Sequence, residues 1–190
     1  GGAETAAETI LAGIAARDMN DPIEGKKTSA ELFSLAKLGV TSTDTVVLYA
    51  SETADGKACA FAVKAYLERH RPGIAIRVEV VDGLQVADEG RFKRIAVDKF
   101  VESLLREISR VGPDACVLNP TGGFKALVPY TVLVGMLRKV PCRYIFERSD
   151  GVITLPQMPV SFDRDALAAH IGLLGRIKRE AVIPRADYDA

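Results

Sequence analysis

The chain has 190 residues, 48% of them hydrophobic and 26% charged, the profile of one soluble globular domain with its own core rather than of a disordered or disulfide-stapled chain. Lys+Arg and Asp+Glu balance at 25 each, which argues against long nucleic acid as a partner but leaves room for a small anion held by a few local donors. Cys59, Cys116 and Cys142 stand far apart in apolar stretches and read as buried, reduced thiols. With only His70 and His170 beside them, no metal site and no cofactor is implied.

Gly1-Gly2 is not a natural translation start and reads as the remnant of a removed tag, which leaves open what precedes it. Residues 4–19 carry Ala6, Ala7, Ile10, Leu11, Ile14 and Ala15 at helical spacing. Pro and Gly break the pattern at 20–25. A second helix covers 29–38, with Ser29 as its cap and Gly39 as its left-handed stop. The β-branched run 45–50 predicts a strand covered on both faces. A polar turn, Ser51-Glu-Thr-Ala-Asp-Gly56, leads to a helix over 57–70, and 74–81 is a further strand.

Residues 91–110 predict one long amphipathic helix with a solvated basic face. The apolar run 115–118 reads as a strand, followed by a loop and a helix start near 126. Residues 141–146 and 152–155 form two short strands around the turn 148–151. A last amphipathic helix covers 163–180 before a polar tail. The alternation of strand and helix means a mostly parallel α/β sheet in a single domain, 1–190, with 163–190 as its terminal helix and tail. No run of about 18 apolar residues spans a membrane.

The stretch with most chemistry is Asn119-Pro-Thr-Gly-Gly-Phe-Lys-Ala126. Gly122 and Gly123 let a ligand approach the backbone, Thr121 offers a hydroxyl, and Lys125 adds a positive charge one turn into the following helix. That combination suits a phosphate. An ordinary strand-to-helix bend explains the glycines equally well, and Asn119 either adds an amide to the site or closes the turn. Ligands of such sheets sit at the carboxyl ends of the strands, where Ser51, Glu52 and Thr53 would form a second wall if the two strands are neighbours. Neither the GxxxxGK[ST] loop nor the GxGxxG fingerprint is present, and neither histidine lies near a nucleophile elbow.

Leu118-Asn-Pro-Thr-Gly-Gly-Phe-Lys-Ala-Leu-Val-Pro-Tyr130, with Ser51-Glu-Thr-Ala-Asp-Gly56 and Leu155-Pro-Gln-Met-Pro-Val-Ser-Phe-Asp163, resembles the CRISPR-associated Rossmann fold (CARF) family of type III CRISPR systems over roughly 29–163. The resemblance implies a Rossmann-like, mostly parallel sheet flanked by helices. It further implies a homodimeric sensor that binds a cyclic oligoadenylate, with cyclic tetra-adenylate as the expected ring, across its two-fold axis. Thr121, Gly122, Gly123 and Lys125 would contact phosphate and ribose, and residues 51–53 would lie close to an adenine or ribose. Such proteins usually open with a strand and a Gly-Thr-Ser-like loop, which has no counterpart ahead of the first helix here.

Three functions compete. The first is a cytoplasmic sensor domain controlling an effector, such as an N-terminal membrane helix upstream of Gly1 that would place the full-length protein at the inner membrane. Arg164 and His170 have the spacing of a family RNase motif, but the 20 residues that follow are too few for a nuclease domain. The second is a stand-alone ring nuclease that cleaves the messenger with Lys125 and Ser51 or Thr53, for which no strong general base is evident. The third is a mononucleotide-binding domain unconnected with the family. Phe124 and Tyr130 could stack on adenine, although aromatics at a helix start more often belong to the core.

Overall fold

Ala7, Leu11 and Ile14 recur at helical spacing, and in the computed structural model they form one face of α1 (Gly2–Ile14), laid on α3 (Ala54–His70). The structure describes residues 2–85, 89–146, 151–160 and 164–172, and the chain forms two units, Gly1–Gln157 and Met158–Ala190.

The first helix is shorter than its apolar stripe predicts. Asp18 takes the backbone N–H of Asn20 at 2.9 Å, and Asp21 takes those of Ile23 and Glu24 at 2.8 and 2.7 Å. Short acidic side chains of this kind compete with the helical ladder, so the chain turns after Ile14. The Tyr66 hydroxyl holds that turn, accepting from Met19 N at 3.1 Å and donating to Arg17 O, while its ring stacks on His70 at 4.0 Å.

α2 (Ala30–Leu38) begins and ends as its sequence predicts. Ser29 Oγ accepts from Leu32 N at 3.1 Å, and Gly39 adopts φ 73°. β1 (Thr45–Ser51) pairs in parallel with β2 (Ala75–Val81), in register from Thr45↔Ala75 to Ser51↔Val81. α3 starts three residues ahead of the predicted position, because Thr53 Oγ1 accepts from Gly56 N at 3.1 Å and caps it.

The predicted helix 91–110 is three pieces: α4 (Glu89–Arg91), a wide π-helical stretch (Phe92–Ala96) and α5 (Val97–Val111). After a 3-10 turn at Pro113–Ala115 the run 115–118 is extended but is not a full strand. A single parallel bridge, Leu118↔Cys142, ties it to the next segment. One laddered edge is too little to hold a regular strand, and among the described residues its other edge meets no strand.

α6 (Val128–Arg138) follows, then the antiparallel pair β3 (Arg143–Ile145) and β4 (Val152–Thr154), as predicted. Residues 147–150 of the predicted turn lie outside the described residues. In the second unit α7 spans Arg164–Ala169, and His170 beyond it is exposed. Residue 163 and residues 173–180 of the predicted helix are also outside the described residues.

Two apolar cores cover opposite faces of the β1–β2 pair. Val46 and Leu48 pack with Leu35, Val63, Tyr66 and Leu67, while Tyr49 packs with Phe100 in a core that continues through Leu104, Leu118 and Val134. Side chains on a strand alternate between faces, so the even positions serve α2 and α3 and the odd ones α5 and α6. The result is a Rossmann-like α/β layering of a parallel pair flanked by helices.

The prediction of three buried thiols holds for Cys142 alone. Burial pushes its thiol up to about 11. Cys116 is half-buried and Cys59 is exposed, because α3 turns Ala58, Ala62 and Tyr66 inward and leaves Cys59 facing a cavity. Among the described residues no helix is long and apolar enough to cross a membrane.

Candidate functional site

β1 ends at Ser51, and α3 begins three residues later. The connection is stiffened by a hydroxyl pair, Ser51 Oγ and Thr53 Oγ1 at 2.7 Å. Gly56 makes this approach feasible, because a Cβ there would lie 1.9 Å from Ser51 Oγ. Glu52 points away from that pair into a two-pronged ion pair with Arg91, 2.9 Å from Nη1 to Oε1 and 3.2 Å from Nη2 to Oε2. Thus the loop after β1 is tied to α4, a link the local sequence gave no signal for.

The second loop follows Leu118. Asn119 Oδ1 accepts from Thr121 N at 3.2 Å, which closes the turn. Its Nδ2 donates to Ser34 Oγ on α2 at 2.7 Å. The side chain therefore takes the turn-closing role, and it also anchors the loop to a buried serine. Thr121 Oγ1 accepts from Ile145 N at 3.0 Å, so the hydroxyl is held by β3 and keeps its proton to donate. Gly123 has φ 85°, the left-handed region that favours glycine.

Lys125 is exposed and opens a 3-10 turn, Lys125–Leu127, ahead of α6. It stands before the helix rather than one turn inside it. Phe124 and Tyr130 are half-buried against the core, with Phe124 edge-on to Phe92 at 5.5 Å. Their rings serve packing in this arrangement.

Ser51, Asn119, Gly122, Gly123 and Phe124 all line one cavity of about 960 Å³, although the extended segments that carry the two loops are not paired with each other. Glu31, in the first turn of α2, sits where no residue pattern placed it. A Cβ on Gly122 would lie 2.4 Å from its Oε1, so its carboxylate occupies the space the glycine leaves open. Glu31 is 91 residues from Gly122, and only the fold brings them together. With Glu31, Glu52, Arg91 and Lys125 near the two loops, the surroundings are mixed in charge. No group of His, Cys, Asp and Glu able to hold a metal ion occurs among the described residues.

A family model described as CRISPR-associated protein (Cas_APE2256) matches residues 26–158, more than two thirds of the chain and all of the two loops. No curated protein matches the chain.

Proposed function

The chain belongs to the CRISPR-associated protein (Cas_APE2256) family, and from that premise we propose that Gly1–Gln157 is a CARF-type sensor of type III CRISPR defence that binds a cyclic oligoadenylate. The reading rests on one observation above all. The loop 119–123 is pinned by Asn119 and Thr121 beside the same cavity as Ser51, with Gly123 open and Gly122 facing the Glu31 carboxylate. A ring of adenylates carries one negative charge per nucleotide and polar base edges. Two copies of this loop related by a two-fold axis would contact it on both sides.

The apolar group formed by Tyr144, Phe146 and Ile153 supports a dimer. Ile153 is paired with Tyr144 across the hairpin, Phe146 is 6.5 Å from the Tyr144 ring, and Phe146 and Ile153 are exposed. In this reading the sensor controls an effector elsewhere in the natural polypeptide, for which a membrane-spanning segment is our candidate. An upstream sequence without about 20 consecutive apolar residues would exclude the membrane version.

Calorimetry against cyclic tetra-adenylate, ATP and AMP tests the proposal. The expected result is one ring per two chains, a preference of at least about tenfold over the mononucleotides, and a messenger recovered intact by mass spectrometry. Preference for AMP or ATP would overturn the sensor, and linear products would convert it to a ring nuclease.

A further inference from the structure

Two consecutive residues reach both loops of the site. Arg91 closes the two-pronged pair with Glu52, in the loop after β1. Phe92 meets Phe124, in the loop after Leu118, ring edge against ring at 5.5 Å. The sheet leaves those loops separate, since β1 pairs with β2 and the bridge at Leu118 goes to Cys142. The dipeptide Arg91-Phe92 therefore joins what the strands do not.

The backbone explains how neighbours in sequence can both be aimed at the site. Phe92 O accepts from Val97 N, five residues on, so the chain makes a π turn where an α-helix would bond Val97 to residue 93. The extra residue changes what stacks on Ala96, which is fully buried. On an α-helix the residues above Ala96 are those three and four positions back, 93 and 92. In the wider turn they are 92 and 91. Gly83, just past β2, marks that stacking. Its φ is 76°, and a Cβ there would lie 3.3 Å from Ala96 N and 3.3 Å from both Cγ and O of Arg91.

Nothing in the local sequence requires the widening, because Phe92-Lys-Arg-Ile-Ala96 contains neither Pro nor Gly. Turns of this kind inside helices occur frequently at functional sites. Here its effect is to bring Arg91 and Phe92 to Glu52 and Phe124 while α5 keeps Phe100, Leu104 and Ile108 in the core.

We infer that Arg91 and Phe92 are positioning residues of the ligand site. They form a brace that fixes the loop 51–53 relative to the loop 119–125, and the π turn aims them. Neither touches the ligand: Arg91 acts through Glu52, and Phe92 acts through Phe124, between Gly123 and Lys125. The ligand in this inference rests on the cyclic oligoadenylate reading, whereas the brace stands on the geometry alone.

Two measurements on the 190-residue chain test it, and the first uses no ligand. Hydrogen exchange resolved to single amides follows Gly56, held by Thr53 Oγ1 at 3.1 Å, and Leu127, held by Phe124 O at 2.9 Å. Arg91→Met should speed exchange at Gly56 by roughly tenfold and leave Leu127 unchanged, and Phe92→Leu should do the reverse. Unchanged rates at both amides would overturn the brace. Equal acceleration throughout the chain would overturn it too, because that is a loss of global stability.

The second measurement is calorimetric titration with cyclic tetra-adenylate. Arg91→Met and Phe92→Leu should each weaken binding by about fivefold, the scale on which residues without ligand contact act on a site. Exchanging the pair, Arg91→Glu with Glu52→Arg, rebuilds the bridge and should recover most of the loss. Arg91→Met with Glu52→Gln leaves neither a bridge nor a bare charge, and should bind as weakly as Arg91→Met alone. Native affinity in that neutral double variant would overturn the positioning role, since covering the Glu52 charge would then be all that Arg91 does. An exchanged pair as weak as Arg91→Met would also overturn it and put the Arg91 guanidinium on the ligand itself. If the native chain binds no cyclic tetra-adenylate while the exchange pattern is as expected, the ligand reading falls and the brace stands.

Discussion

Asn119 donates its side-chain amide to the hydroxyl of Ser34 at 2.7 Å, joining the loop at the end of one extended segment to a fully buried residue of α2. Its other end accepts from Thr121 N, so one side chain fixes both the shape of the loop and its place. Asn119→Ala removes both bonds and leaves an oxygen lone pair of Ser34 without this donor. The expected cost is about 1–2 kcal/mol. For a chain of this size each kcal/mol lowers Tm by roughly 2–4 °C. Calorimetric melting checks it, and an unchanged Tm would mean that the amide is not engaged in solution.

Ser51 and Gly56 make a sharper pair. A Cβ at position 56 would fall 1.9 Å from Ser51 Oγ and 3.0 Å from Thr53 Oγ1. Within a helix the change from Gly to Ala is worth up to about 1 kcal/mol in favour of Ala. Here the clash with the hydroxyl pair outweighs that gain, and Gly56→Ala should destabilise the protein. Adding Ser51→Gly removes the clashing group, so the double variant should melt above the Gly56→Ala single variant. Additive losses in urea titrations of the two single variants and the double variant would show that the two positions do not touch.

The ends of α2 were legible because capping and a left-handed stop are local chemistry: Ser29 and Gly39 carry their own reasons. β1 and β2 were legible from their β-branched runs. The end of α1 was not, because the apolar stripe continues past the point where Asp18 and Asp21 take the backbone for themselves. Nor was it legible that residues 115–118 make only the one bridge from Leu118 to Cys142, since a strand is a property of its neighbours and not of its own residues. At the site, the sequence singled out Thr121, Gly122 and Gly123, and Ser51, Glu52 and Thr53 as a second wall, of which Ser51 lines the cavity while Glu52 turns to Arg91. It offered nothing for Glu31 or Arg91, whose places depend on contacts 91 and 39 residues away.

Arg77 grips Glu107 between β2 and α5, with one bond of 3.1 Å, and Arg110 adds bonds of 3.1 and 3.0 Å. Hydrogen bonding from Arg77 is the leading reason that the Glu107 carboxyl lies below its ordinary value of 4.5. A lowered carboxylate pKa stabilises the fold above the unfolded value, and that stabilisation is lost as pH falls through the folded one. Because Arg77 is well exposed, the effect is held to about 1 kcal/mol or less. Urea midpoints at pH 6 and pH 3 should therefore differ more for the native chain than for Glu107→Gln. Parallel pH profiles would place the acid sensitivity elsewhere.

Glu31 and Lys125 should influence the ligand in opposite directions. Lys125 stands exposed ahead of α6 beside the loop, and Lys125→Ala should weaken cyclic tetra-adenylate binding by about tenfold, the scale of one lost charge-assisted contact. Glu31 lies over Gly122, where a phosphate seated on the bare backbone would have to approach. A carboxylate there repels that phosphate over several ångströms of partly screened medium, so Glu31→Gln should tighten binding by roughly threefold or more. Neither change touches a core side chain, and both variants should melt close to the native chain. Calorimetric titration of the two variants separates the arrangements: tightening with Glu31→Gln places phosphate at Gly122, whereas weakening assigns the carboxylate to a base or ribose donor and moves the phosphate away from the glycines.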